Sequence, residues 1–208
     1  MATGGEATQA FEALVLAAGV GSRFGGGKLL APWAGGVLLD GALAAAFAAP
    51  ARAVTVVTGA DADRVAAAAR AFAGRVGEAG RLSVVHAADY AEGLGASLRT
   101  GAAALPADAA GVFVFLGDMP RVPHGVLAQL AAAVRTGAPA AAPAFGGRRG
   151  NPVLLGAGLI PQLLDLKGDA GARAILQALG ARLALVEAPD DGVLFDVDER
   201  GDLDKRRT

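Results

Sequence analysis

Leu14-Val15-Leu16-Ala17-Ala18-Gly19-Val20-Gly21-Ser22-Arg23-Phe24-Gly25-Gly26-Gly27-Lys28 is the stretch from which the rest of the chain is read. An apolar run ends at Ala18, and a glycine-dense loop carrying Arg23 and Lys28 follows it. Such a loop brings backbone N–H groups close to a phosphate while two cations neutralise it. It is not a P-loop: Ser22 stands where the first glycine belongs, and Leu29 replaces the magnesium-binding hydroxyl after Lys28. Nor is it a dinucleotide fingerprint, because Gly19 and Gly21 fit but Phe24 occupies the third glycine position. The spacing fits a loop that wraps a nucleoside triphosphate, with Arg23 and Lys28 as charge clamps.

Outward from this loop, strand-like apolar runs alternate with helical patterns. Strands are expected at 11–17, 53–58, 82–86, 111–116 and 138–143. Helices are expected at 37–48, 61–72 with Asp61 as N-cap, 96–104 and 122–135. The β-α-β-α order implies a mainly parallel sheet with helices on both faces, a single-domain three-layer α/β/α fold. After Phe145 the pattern changes. Gly146 to Pro152 reads as a turn-rich hairpin leading to Val153-Leu154-Leu155. Helical stretches follow at 159–164 and 170–179, closing strands at 183–187 and 193–197, and a short helix at 199–206. Residues 11–145 are expected to form the nucleotide-binding part, 146–198 the acceptor-binding part, and 1–10 a flexible start.

Composition narrows the chemistry. With 208 residues the chain is long enough to bury a sizeable core. A net charge of −1 argues against general binding to nucleic acid or an anionic membrane. The absence of cysteine excludes disulfides, thiol catalysis and cysteine-ligated metal centres. His86 and His124 are the only histidines, too few for a multi-histidine metal site, and both read as structural. Gly, Pro or charge interrupts every apolar run before it could span a bilayer, and residues 1–10 have no apolar signal core. The expected location is the cytoplasm.

Ligands of open α/β sheets bind at the carboxyl ends of the strands. Gly117-Asp118-Met119-Pro120 follows the strand ending at Leu116, and Asp196-Val197-Asp198 lies at the last one. A carboxylate there suits a hard cation such as magnesium. Asp118 also reads as a turn former before Pro120; beside a triphosphate loop the metal reading is favoured. Asp196 and Asp198 would share one face of a continued strand, and either a metal or a solvated turn accounts for them.

Taken together, Leu16-Ala17-Ala18-Gly19 with Arg23, Gly25 and Lys28, then Gly117-Asp118-Met119-Pro120, then Phe195-Asp196-Val197-Asp198, resembles the MobA-like nucleotidyltransferases. Within that group the chain looks most like the molybdenum cofactor cytidylyltransferases. Tyr90 to Leu98, Gly147-Arg148-Arg149-Gly150-Asn151-Pro152-Val153 and Gly168-Asp169-Ala170-Gly171-Ala172-Arg173 carry that narrower likeness. Two positions depart from the family pattern: Met119, where a Gln or similar residue is usual, and Ala96, where a small polar residue is usual.

The resemblance implies a Rossmann-like sheet of the nucleotide-diphospho-sugar transferase type. It implies CMP transfer from CTP to the phosphate of a molybdenum-pterin cofactor, with release of pyrophosphate. Arg23, Lys28 and Asp118 would be catalytic. Leu16, Ala17, Ala18, Gly19, Gly21, Ser97 and Gly117 would join Arg23 and Lys28 around the nucleotide. Asp118, Asp198 and Asp196 would hold Mg2+. Arg148, Arg149, Asn151, Asp169 and Arg173 would face the acceptor, since guanidinium groups bind phosphate and oxo-anions bidentately. Ser97 and Asp169 also fit plain helix caps, and Arg148 and Arg149 a solvated hairpin tip. The Ala17-Ala18 pair favours cytosine over guanine, because a methyl takes space that a purine would need. The alternatives are a sister nucleotidyltransferase with another triphosphate or acceptor, and a delivery chaperone for a molybdenum hydroxylase.

Overall fold

The computed structural model describes residues 10–168 and 171–205. Asp169, expected among the acceptor-binding residues, and most of the expected flexible start lie outside them. In chain order the regular elements are β1 (Phe11–Ala17), β2 (Pro32–Trp33), β3 (Gly36–Val37), α1 (Leu38–Ala48), β4 (Ala51–Thr58), α2 (Ala62–Arg75), β5 (Leu82–His86) and α3 (Leu94–Ala103). They continue with β6 (Gly111–Leu116), α4 (Gly125–Arg135), β7 (Ala140–Phe145), β8 (Arg148–Arg149), β9 (Val153–Gly156), α5 (Ile160–Leu164), α6 (Arg173–Leu179) and β10 (Leu183–Glu187).

The main sheet runs β10-β7-β9-β6-β1-β4-β5, with β8 paired to β7. Pairs β1–β4, β1–β6, β4–β5 and β7–β10 are parallel, and β9 is antiparallel to both β6 and β7. The expected nucleotide and acceptor parts therefore share one sheet. Alternation along β1 explains the layers. Phe11, Ala13, Val15 and Ala17 pack with α1, α2 and α4, while Leu14 and Leu16 pack with α3, α5 and α6. Glu12, 3% exposed near the start of this strand, is held by Arg52 of β4 through a 2.7 Å hydrogen bond. A buried carboxylate is tolerated only when paired in this way.

Three sequence expectations need correction. Residues 193–197 do not form a strand: Asp191–Leu194 is a 3-10 turn, started by the Asp190 carboxylate accepting the Gly192 N–H at 2.9 Å. The helix expected from Val122 starts at Gly125, because Pro123 keeps its predecessor out of helical geometry. The terminal helix is a 3-10 segment, Arg200–Asp204. Asp61 does occupy the N-cap of α2, but its side chain makes no capping hydrogen bond.

Candidate active site

The glycine loop leaves the end of β1 and turns back on itself. Gly21, Gly25, Gly26 and Gly27 all have positive φ, between 60° and 89°, a region that side chains disfavour. Gly21 has a packing reason as well, since a Cβ there would lie 3.0 Å from the Lys28 Cβ. Gly19 has none, for a Cβ there would meet nothing within 4 Å. The chain then enters a short 3-10 turn, Lys28–Leu30, in which Leu29 is buried in the core and Lys28 faces the strand ends.

Asp118 arrives from the neighbouring strand. The Gly117 N–H donates to the Leu16 carbonyl at 2.9 Å, which fixes the end of β6 beside the end of β1. Met119 is 3% exposed and packs in the core, so its departure from the family pattern puts no side chain into the site. Lys28 Nζ donates to Asp118 Oδ2 at 2.7 Å and lies 3.7 Å from Asp198 Oδ1. Arg23 Nη1 donates to Asp198 Oδ2 at 3.1 Å. The Lys28 side chain is 14% exposed and that of Arg23 76%, so Lys28 is the sheltered, fixed charge and Arg23 the solvated one.

The C-terminal segment closes the arrangement. The Val197 N–H donates to the Asp118 carbonyl at 3.1 Å, and the fully buried Val197 packs with Phe24, Ala31, Trp33 and Leu38. The Arg200 guanidinium lies 4.8 Å from the Phe24 ring centroid. Partial burial pushes the Asp196 carboxyl above the usual carboxylate range, and the charges of Asp198 and Asp118 push it the same way. Three carboxylates and two cations thus sit at the ends of β1 and β6. Among the described residues no three His, Asp or Glu groups are close enough to form a ready-made metal cage. Asp118 and Asp198, sharing Lys28, suit magnesium instead, which takes one or two carboxylates and completes its shell with phosphate and water.

Two cavities flank this centre. One, of about 410 Å³, is lined by Ala18, Gly19, Tyr90, Gly93, Ser97 and Asp118 among others. Of the expected nucleotide residues, Leu16, Ala18, Gly19 and Ser97 line it. Gly21, Arg23, Lys28 and Gly117 are not among its lining residues, and Ala17 turns its side chain into the opposite layer. Ser97 is 4% exposed. The other cavity, of about 730 Å³, is lined by Arg148, Arg149, Asn151 and Arg173 over an apolar floor that includes Val114 and Leu176. The described members of the expected acceptor set therefore converge. The sequence reading took Tyr90 only as part of the Tyr90–Leu98 likeness and gave no role to Gly59. A Cβ on Gly59 would come within 2.7 Å of the Tyr90 ring and 2.8 Å of the Ala18 methyl, so these groups close the nucleotide cavity at the end of β4. The signal for Gly59 was its place just past a strand end. His86 and His124 are both exposed, His86 with its ring 6.5 Å from that of Tyr90.

Comparison with known proteins agrees with this geometry. The chain is 32% identical to nicotine blue oxidoreductase of Paenarthrobacter nicotinovorans, over 89% of this chain and 90% of that one. It is 26% identical to molybdenum cofactor cytidylyltransferase of Escherichia coli (strain K12), over 93% and 94%. Among solved structures, a nucleotidyl transferase from Methanothermobacter thermautotroptrophicus superimposes with a TM-score of 0.72 at 27% identity, covering 93% of this chain and 94% of that one. The MobA-like NTP transferase domain matches residues 13–183, and the chain belongs to that nucleotidyltransferase family.

Proposed function

We propose that this protein transfers CMP from CTP to the phosphate of a molybdenum-pterin cofactor and releases pyrophosphate. The observation that carries the reading is the junction of a cation-and-carboxylate centre at the ends of β1 and β6 with an arginine-lined cavity beside it. Likeness to a molybdenum cofactor cytidylyltransferase supports the choice of acceptor. The Ala18 methyl and Tyr90, closing the nucleotide cavity against Gly59, support a base of pyrimidine size.

Joining two anions is slow for electrostatic reasons, so the residues act by neutralising and positioning charge. Lys28 and Arg23 exchange their carboxylate partners for the triphosphate and stabilise the departing pyrophosphate. Arg148, Arg149 and Arg173 hold the acceptor's anionic groups. Asn151 offers an amide to its ring edge, and Ser97 offers a hydroxyl to the cytidine. Magnesium, held by Asp118 and Asp198 with Asp196 nearby, would supply further neutralisation of the phosphates.

The test is pyrophosphate release from CTP, GTP, ATP and UTP with magnesium and the molybdenum-pterin phosphate. Release from CTP alone is expected; a clear preference for GTP would sink the cytidylyl reading. The greater identity to nicotine blue oxidoreductase favours one second reading, an oxidoreductase activity. Oxidation of NAD(P)H or reduced flavin by the protein would decide for it. The incomplete dinucleotide fingerprint, with Phe24 in place of glycine, speaks against it.

A further inference from the structure

We propose that Leu94 is the partition between the nucleotide and acceptor cavities, and that it keeps water off the α-phosphorus while the acceptor is in place. The proposal rests on the transfer reading above. Leu16, Leu94 and Leu116 line both cavities. Leu16 and Leu116 lie at the carboxyl-terminal ends of two central strands, penultimate in β1 and last in β6, and form a shared floor. Leu94 comes from elsewhere, as the first residue of α3, and is 38% exposed, presenting apolar surface to both cavities.

Its position is fixed from the far side. Gly171 has φ of 49°, and a Cβ there would lie 2.7 Å from Leu94 Cδ2. A Cβ on the next helix residue, Gly95, would lie 2.7 Å from the Gly168 carbonyl. The start of α3 is thus pressed onto Gly168 and Gly171. Gly168 and Gly171 thereby set the start of α3 and Leu94 in place, while Arg173 faces the acceptor cavity. An aliphatic wall accepts no hydrogen bond, so it cannot recruit water at the point where the two substrates meet.

In transfer, an acceptor phosphate oxygen bonds to the α-phosphorus, the α–β bridging P–O bond breaks, and its electron pair leaves with pyrophosphate. If the partition fails, a water oxygen forms that bond instead. The same bridging bond breaks, CMP and pyrophosphate result, and the water's proton goes to solvent.

Leu94→Ala and Leu94→Gln are compared with the wild type for CMP and for cytidylylated acceptor formed per pyrophosphate released. The glutamine keeps the position filled, reaching one atom further than leucine, and brings an amide that admits water, so it remains informative if the alanine variant melts early. Both are expected to raise the hydrolysis-to-transfer ratio by about tenfold or more, a usual cost of a loosened reacting pair. CTP affinity should change by less than that ratio, and Leu94→Met should restore the wild-type ratio. A glutamine variant with the wild-type ratio overturns the partition. A wild type that releases no pyrophosphate from any nucleotide overturns the transfer reading beneath it.

Discussion

Lys28 is the residue on which the site's charges balance. It donates to Asp118 at 2.7 Å and lies 3.7 Å from Asp198, so its ammonium stands between the two carboxylates proposed to hold magnesium. Under the proposed function, metal alone would have to displace that ammonium, whereas bound nucleotide would let it move onto phosphate. Lys28→Met should therefore have opposite effects on two readouts. Nucleotidyl transfer should fall by about a hundredfold or more, as for loss of a preorganised charge at a transferring phosphoryl group. Binding of Mn2+ alone, followed by its paramagnetic signal, should tighten. Weaker Mn2+ binding in the variant would show that Lys28 does not compete for those carboxylates. Both Lys28 and Asp118 were legible in sequence, because a glycine loop and an Asp at a strand end have a known geometry. Leu94 and Tyr90 were legible only as members of the Tyr90–Leu98 likeness, without roles of their own. Their meaning comes from two cavities sharing a wall and from Gly59 having no room for a side chain, which are facts of three-dimensional packing.

At the scale of elements, the glycines of α1 and the C-terminal turn set how closely the site's supports approach. Gly41 lies inside α1, where glycine is locally unfavourable. A Cβ there would lie 2.5 Å from the Pro120 carbonyl and 2.6 Å from its Cα, both in the turn that carries Asp118. Helix propensity alone favours Gly41→Ala, whereas the contact opposes it. Backbone cannot yield as a flexible side chain can, so we expect destabilisation of about 1–3 kcal/mol by urea titration. The variant should also bind CTP and magnesium more weakly, because Asp118 moves with the turn. A variant as stable as the wild type would mean that the turn relaxes freely. Strands β1, β5 and β6 were read from sequence with their observed bounds, because continuous apolar runs between turns leave little choice. The strand expected at 193–197 failed for a physical reason. Its apolar residues are buried as single anchors, with the Val193 carbonyl taken by the Asn151 N–H at 2.9 Å, and no ladder forms.

Across the whole molecule, the last described residues strap the phosphate loop to the sheet. Val197 is buried beneath Phe24 and Trp33, Arg200 lies over Phe24, and Asp198 meets Arg23. Asp202 holds this strap in shape. Its Oδ2 accepts the N–H groups of Asp198 at 3.0 Å and Glu199 at 2.9 Å, while Oδ1 accepts Lys205 Nζ at 2.7 Å. The hydrogen bond from Lys205, then those from the Glu199 and Asp198 backbone, lower its pKa from 3.8 to about 2. A carboxylate with a depressed pKa stabilises the fold fully above its unfolded value and loses that contribution as pH falls through the folded one. Asp202→Asn should accordingly lower the urea midpoint most at neutral pH. The gap from the wild type should then shrink between pH 3.8 and about pH 2 as the wild-type carboxylate takes up its proton. Since the strap carries Asp198, the same variant at neutral pH should need more magnesium for half-maximal transfer. A urea gap that stays constant through the acid window would show that the strap is held by Val197 and Arg200, with Asp202 contributing no charge-dependent hold.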